Sequence, residues 1–217
     1  MTVQSEGDND IYLQKFTPSG QLIWGKSFGG EQIDHINDIA VNPQGEIFIT
    51  GFYANIMRFP GTNLPDLISN GLQDVYLIKI AANGTLVWAK TFGGTQRDEG
   101  VSIDFDAAGN IHLGGTFRDQ VDFDPGVGNN QTTSAGEEDV FVLTLDQNGA
   151  YNNHHTISGV EKQNITELKA YADGSVVLGG QFFGATHFSP TLTHHSSNTN
   201  FGEVYLVKYN ANDQIEW

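Results

Sequence analysis

Cysteine is missing from this chain of 217 residues. Disulfides, thiolate metal sites and cysteine nucleophiles are thereby excluded. Positive charge is scarce: 10 Lys and Arg stand against 26 Asp and Glu, a formal net charge of −16. Such a surface repels phosphate backbones and anionic lipid, so nucleic acid is not an expected partner. No apolar run approaches the ~20 residues that span a bilayer, and no membrane insertion is expected. The N-terminal stretch MTVQSEGDND has neither a basic region nor an apolar core, so no signal peptide is read within the chain. Helical hydrophobic stripes of useful length are lacking. So are Gly-x-Ser-x-Gly, a phosphate loop, HExxH and a dinucleotide fingerprint.

What the chain does contain is a repeat. DIYLQKFTPSGQLIWGKSFGG starts at Asp10, DVYLIKIAANGTLVWAKTFGG at Asp74, DVFVLTLDQNGAYNNHHTISG at Asp139 and EVYLVKYNANDQIEW at Glu203. The spacing is 64 or 65 residues. In this register Trp24, Trp88 and Trp217 align, with Asn153 in the third unit. Gly51, Gly115 and Gly180 form a second column, and Phe59, Phe123 and Phe188 a third. Each unit holds four short runs, A to D, rich in β-branched and aromatic residues and bounded by Gly, Asn, Asp and Pro. The A–B and C–D links are tight turns such as AAG and ANG.

Four antiparallel strands per fixed repeat predict an all-β fold of β-propeller blades. A β-solenoid is the structural rival, but its rungs are usually shorter. The expected units are a half blade of strands C and D over 10–30, then 36–94, 100–159 and 165–217. That makes one partial propeller of about 3.5 blades. Strands A and B of the first unit are not found, so the expectation is a piece of a longer protein. Further blades of that parent, or another subunit, would close the ring.

FGGTQRDEGVSIDFDAAGNIHLGGTFRDQVDFDPG, followed by DVFVLTLDQNG, resembles the bacterial SBBP-type beta-propeller repeat. The likeness covers nearly the whole chain and is weakest in the third unit, where ISG replaces FGG and HFSP replaces the acidic tail. It implies an extracellular or cell-surface module, commonly within large multidomain proteins, with no catalytic residues and no defined ligand.

The acidic residues read mainly as structural. Asp98 aligns with Asp34 and Gln163 just after the Gly-Gly corner and reads as a cap on the D–A loop. Asp106 heads the DAAGN turn, where Gly109 supplies a positive φ. Asp104 aligns with Ala40 and Lys169, which rules against a repeated metal site there. Asp122 and Asp124 in VDFDPG are spaced like the start of a calcium loop, without the acids needed downstream. They are the one weak calcium candidate, and no other cofactor is expected. The adjacent pairs His154–His155 and His194–His195 face opposite sides of a strand and make no ready metal claw. The Trp column reads as packing between blades. Lys15, Lys79 and Lys208 read as exposed strand-face charges.

Connectivity suggests where binding resides. The long insertions 54–73, 118–138 and 183–202 fall on the face of the B–C and D–A links, opposite the tight turns. Glu31, Asp34, His35, Asp38, Asp98 and Glu99 are expected near its inner rim. Loop truncation is expected to alter binding and spare the fold. The functional expectation is a non-catalytic scaffold that binds protein or glycan. The alternatives are a propeller-fold carbohydrate-active hydrolase or lyase, and a purely structural spacer.

Overall fold

A computed structural model describes residues 7–196 and 201–217. Residues 1–6, within the stretch read for a signal peptide, and 197–200, within the third insertion, lie outside the described residues. The described chain is all-β, and no helix in it is long and apolar enough to cross a membrane.

Strands β1 (Ile11–Phe16) and β2 (Leu22–Phe28) form sheet I. Strands β3 (Asp34–Val41) and β4 (Ile47–Tyr53) lead into a small hairpin, β5 (Ile56–Met57) and β6 (Leu67–Ile68). With β7 (Asp74–Ile80) and β8 (Leu86–Phe92), β3 and β4 make sheet II, in the order β3-β4-β7-β8. Sheet III repeats the plan with β9 (Glu99–Phe105), β10 (Ile111–Phe117), the hairpin β11 (Gln120–Asp122) and β12 (Gln131–Thr133), then β13 (Asp139–Leu145) and β14 (Tyr151–Gly159). Sheet IV contains β15 (Gln163–Ala170), β16 (Val176–Phe182) and β19 (Glu203–Tyr209), after the hairpin β17 (Ala185–Ser189) and β18 (Leu192–His195). All pairings within these sheets are antiparallel, as tight A–B and C–D turns require. Turn glycines Gly45, Gly84, Gly109, Gly149 and Gly174 have positive φ.

The core lies between the sheets. Ile11, Leu13 and Phe28 of sheet I pack with Ile49, Tyr76 and Ile78 of sheet II. Val75, Leu77 and Phe92 of sheet II join Leu113, Phe117 and Phe141 of sheet III. Val140, Val142 and Ile157 of sheet III join Leu168, Leu178 and Val207 of sheet IV. Strands read with apolar residues on both faces, such as DVYLIKI, are buried on both because a sheet lies on either side.

The long insertions are not free loops, which corrects the expectation that they could be trimmed without harm. Each forms a hairpin that plants apolar side chains in the core: Met57, Phe59 and Leu67, then Val121 and Phe123, then Phe188. The first and third also fasten to the preceding sheet. Gly29 and Arg58 exchange backbone hydrogen bonds, and β17 pairs with the end of β14 through Ser158–His187 and Gly159–Thr186.

Candidate functional site

The first strands of sheets II, III and IV pack side by side, with β9 between β3 and β15. Each carries one extra residue. The ladder shifts between Ile36 and Asp38, between Gly100 and Ser102, and between Ile165 and Glu167. Asn37, Val101 and Thr166 are the bulged residues, and a bulge re-aims a side chain off the regular pleat. Glycine is needed opposite each bulge. A Cβ at Gly51, Gly115 or Gly180 would stand 1.9, 2.2 or 2.0 Å from the carbonyl oxygen of His35, Glu99 or Asn164. Two of those carbonyls accept hydrogen bonds across the sheet, from Tyr76 Oη to His35 O and from Tyr205 Oη to Asn164 O, each 3.0 Å.

The three bulges line an open cleft of about 530 Å³ at the end of the inner strands away from the A–B turns. Asn37, Asp38, Glu99, Thr116, Glu138, Lys162, Asn164, Glu167 and Gln181 supply its polar wall. Asn37 Nδ2 donates to Glu99 Oε1 and to Gly100 O, each 2.8 Å. Glu138 holds Arg118 and Lys162, both at 3.1 Å. Asp38 Oδ2 accepts the Ile103 amide at 2.9 Å and Asp104 Oδ2 the Ala170 amide at 3.0 Å, so inner-strand carboxylates tie one sheet to the next. The cleft wall carries four carboxylates and one lysine, without an aromatic ring.

Of the residues expected at this rim, Asp38 and Glu99 line the cleft. Glu31 is exposed and 4.0 Å from Arg58, and His35 stacks on Phe52 at 5.3 Å. Asp34 and Asp98 lie beneath the rim, 3% and 1% exposed. Their carboxylates accept the amides of Gly30 and Gly94, both at 2.7 Å, and Asp98 also takes Arg118 N at 3.0 Å. Burial raises the pKa of Asp34 to about 7 and of Asp98 to about 6, against these hydrogen bonds. Asp74, buried with one amide donor from Asn70, is likewise pushed up to about 7. Sequence reasoning did not name Asn37, Thr116, Glu138, Lys162, Asn164, Thr166, Glu167 or Gln181. The signal was present in the repeat columns: position 35/99/164 reads His, Glu, Asn and position 37/101/166 reads Asn, Val, Thr.

The calcium candidate is occupied with its own backbone. Asp122 Oδ1 accepts the amides of Asp124 and Asn130, and Asp124 Oδ1 that of Gly126. Among the described residues no group of three or more His, Asp or Glu side chains is arranged to hold a metal ion. His154 and His155 point to opposite sides, against Phe123 at 4.6 Å and Tyr209 at 4.3 Å. Trp24 and Trp88 pack against the core, and Trp217 is half exposed. The lysine expectation is corrected: Lys79 is only 9% exposed, with its ammonium over the Phe48 ring.

No family model matches the chain. Over 178 residues it is 25% identical to regulatory protein FlaEY of Caulobacter vibrioides, an alignment covering 81% of this chain and 18% of that protein. Over 134 residues it is 31% identical to the uncharacterized WD repeat-containing protein L264 of Acanthamoeba polyphaga mimivirus, covering 50% of this chain and 9% of that protein. The chain thus spans less than a fifth of the length of either curated relative.

Proposed function

We propose that the sheets are blades of a β-propeller and that the chain is a non-catalytic recognition module working through the inner-strand cleft. The observation that carries this reading is the convergence of three bulged strands on one cleft, where β3 presents Asn37 and Asp38, β9 Glu99 and Val101, and β15 Asn164, Thr166 and Glu167. The WD-repeat relative supports the propeller part. The likeness to the SBBP-type repeat supports a place on a bacterial surface or outside the cell.

Between protein and glycan, the cleft chemistry favours a protein segment carrying lysine or arginine. Of the four carboxylates, Glu138 is paired with Arg118 and Lys162 and Glu167 with Lys169, which leaves Asp38 and Glu99 to receive a cationic side chain, and the ring platform on which sugars commonly stack is missing from the wall. Net charge adds long-range attraction for a basic partner. The test is a peptide-display selection on the full chain, run beside a glycan array. Peptides rich in Lys and Arg should be enriched, and their affinity should fall about tenfold in Glu99→Gln/Glu167→Gln at unchanged melting temperature. Binding to glycans alone would move the ligand to that class. Binders indifferent to both substitutions, or none at all, would leave the spacer reading standing.

A further inference from the structure

One sheet breaks the repeat at several adjacent positions together. In sheet II a cross-strand row runs Ala40, Phe48, Lys79, Trp88. The Lys79 ammonium lies 2.8 Å from Glu46 Oε2 and donates to Gln147 O in the C–D turn of sheet III at 3.5 Å. Lys15 of sheet I does the same to Ala82 O in the turn of sheet II, at 2.9 Å. Trp24 and Trp88 lie against the turn glycines Gly84 and Gly149 of the following sheet. Two successive seams are therefore filled by a tryptophan and an ammonium group.

The matching row in sheet III reads Asp104, His112, Thr144, Asn153. Lysine has become threonine and tryptophan has become asparagine. The turn glycine has become Asp213, which keeps the left-handed backbone at φ 56°. Asn153 Nδ2 and His155 Nδ1 both donate to its carboxylate. A carboxylate beside the seam is retained by exchange: the pair Asn42–Glu46 becomes Asp106–Asn110, hydrogen-bonded in both sheets. The lysine is not replaced. A cavity of about 240 Å³ opens at this seam, lined by Asp106, His112, Thr144, Asn153, Ala211 and Asp213, with neither Lys nor Arg in its wall. Ala211 is the repeat equivalent of Ala82 and Gln147, whose carbonyls take the lysines of sheets I and II.

We propose that this cavity binds the primary ammonium group of a small amine, seated where sheets I and II place their own lysine. The charge balance agrees. Burial would raise Asp106 and Asp213, but hydrogen bonds from Asn110 and His112, and from His155 and Asn153, hold both below the ordinary carboxylate value. Burial pushes the pKa of His112 down, and His155 lies 3.0 Å from the Asp213 carboxylate outside the cavity wall. The site lies at the A–B and C–D turn end of the strands, away from the recognition cleft, and does not rest on that reading.

The test titrates the isotope-labelled full chain with 1,4-diaminobutane, with uncharged 1,4-butanediol and with calcium chloride, reading amide resonances. The diamine should shift Asn110, Asn153 and Ala211 saturably, and the other two should not. Thr144→Lys returns the repeat's own ammonium, and Asn153→Trp/Asp213→Gly returns the tryptophan–glycine contact. Each should weaken diamine binding about tenfold or more, which is about 1.4 kcal/mol. Overturning results are the lack of a saturable shift in the wild type, equal shifts with the diol or calcium, or undiminished diamine affinity in a folded variant.

Discussion

A methyl group at Gly115 has nowhere to go: it would stand 2.2 Å from Glu99 O and 2.4 Å from Phe141 Cζ. Gly109 differs, with open space around it and only its φ of 83° to forbid a side chain. Gly115→Ala should therefore cost about 2 kcal/mol or more by overpacking, and Gly109→Ala about 1 kcal/mol by backbone strain. Urea denaturation of both variants checks the order, and equal losses would contradict the close approach at Gly115. The glycine column was visible in the sequence, but its reason was not. A bulge on one strand and an aromatic ring from another meet at the same carbonyl, and neither is local in the chain. Asp98, with Asp34 in the matching place, was legible as a cap on the corner between strands D and A, and the two carboxylates do accept the Gly94 and Gly30 amides. Their depth beneath the rim was not legible, although buried corner amides need acceptors and a carboxylate is the strongest one at hand.

At the level of elements, the main strands follow from alternation and glycine turns and were legible, except that strand D of the last unit, expected up to Trp217, is reduced to a single bridge between Tyr209 and Ile215. The insertion hairpins were not. Their composition is that of loops, and only one or two apolar anchors in each reach the core. Phe123 illustrates the weight on such an anchor. It is fully buried and meets the rings of Phe117, Phe141 and His154 at 5.3, 5.0 and 4.6 Å. Phe123→Ala should cost about 3–5 kcal/mol, measured by thermal or urea unfolding. A loss under about 1 kcal/mol would return the hairpin to the status of a dispensable loop. The seam between sheets III and IV was half legible. Asn153 stood out in the tryptophan column, but its link to Thr144 and His112 follows from strand register, which the sequence does not state.

For the whole molecule, buried carboxylates set the response to pH. Asp34 and Asp74 are raised to about 7 and Asp98 to about 6, and Asp139 is raised too, each chiefly by burial. A carboxyl that holds its proton more tightly when folded stabilises the fold at low pH. That stabilisation is lost as pH climbs from about 4 towards 7. Asp106 and Asp213 are lowered and act the other way, losing their contribution below about pH 4, and His112 and His154, lowered by burial from 6.5, offset part of the gain as pH falls below that value. The melting temperature should be highest near pH 4 to 5, fall towards pH 7 and level off above it. Asp74→Asn, which keeps an acceptor for the Asn70 amide, should flatten the fall. An unchanged slope in that variant would remove Asp74 from the account.

The fastening of a sheet by the next repeat's hairpin, present at sheets I and III, also gives the chain a direction in time. A ribosome releases β14 well before β17, so the outer edge of a newly made sheet waits, unclasped, for a further half repeat to emerge. Sheets completed in this order would lock one behind the other from the N-terminal side. The most exposed moment for any of them is the interval before its successor's hairpin arrives.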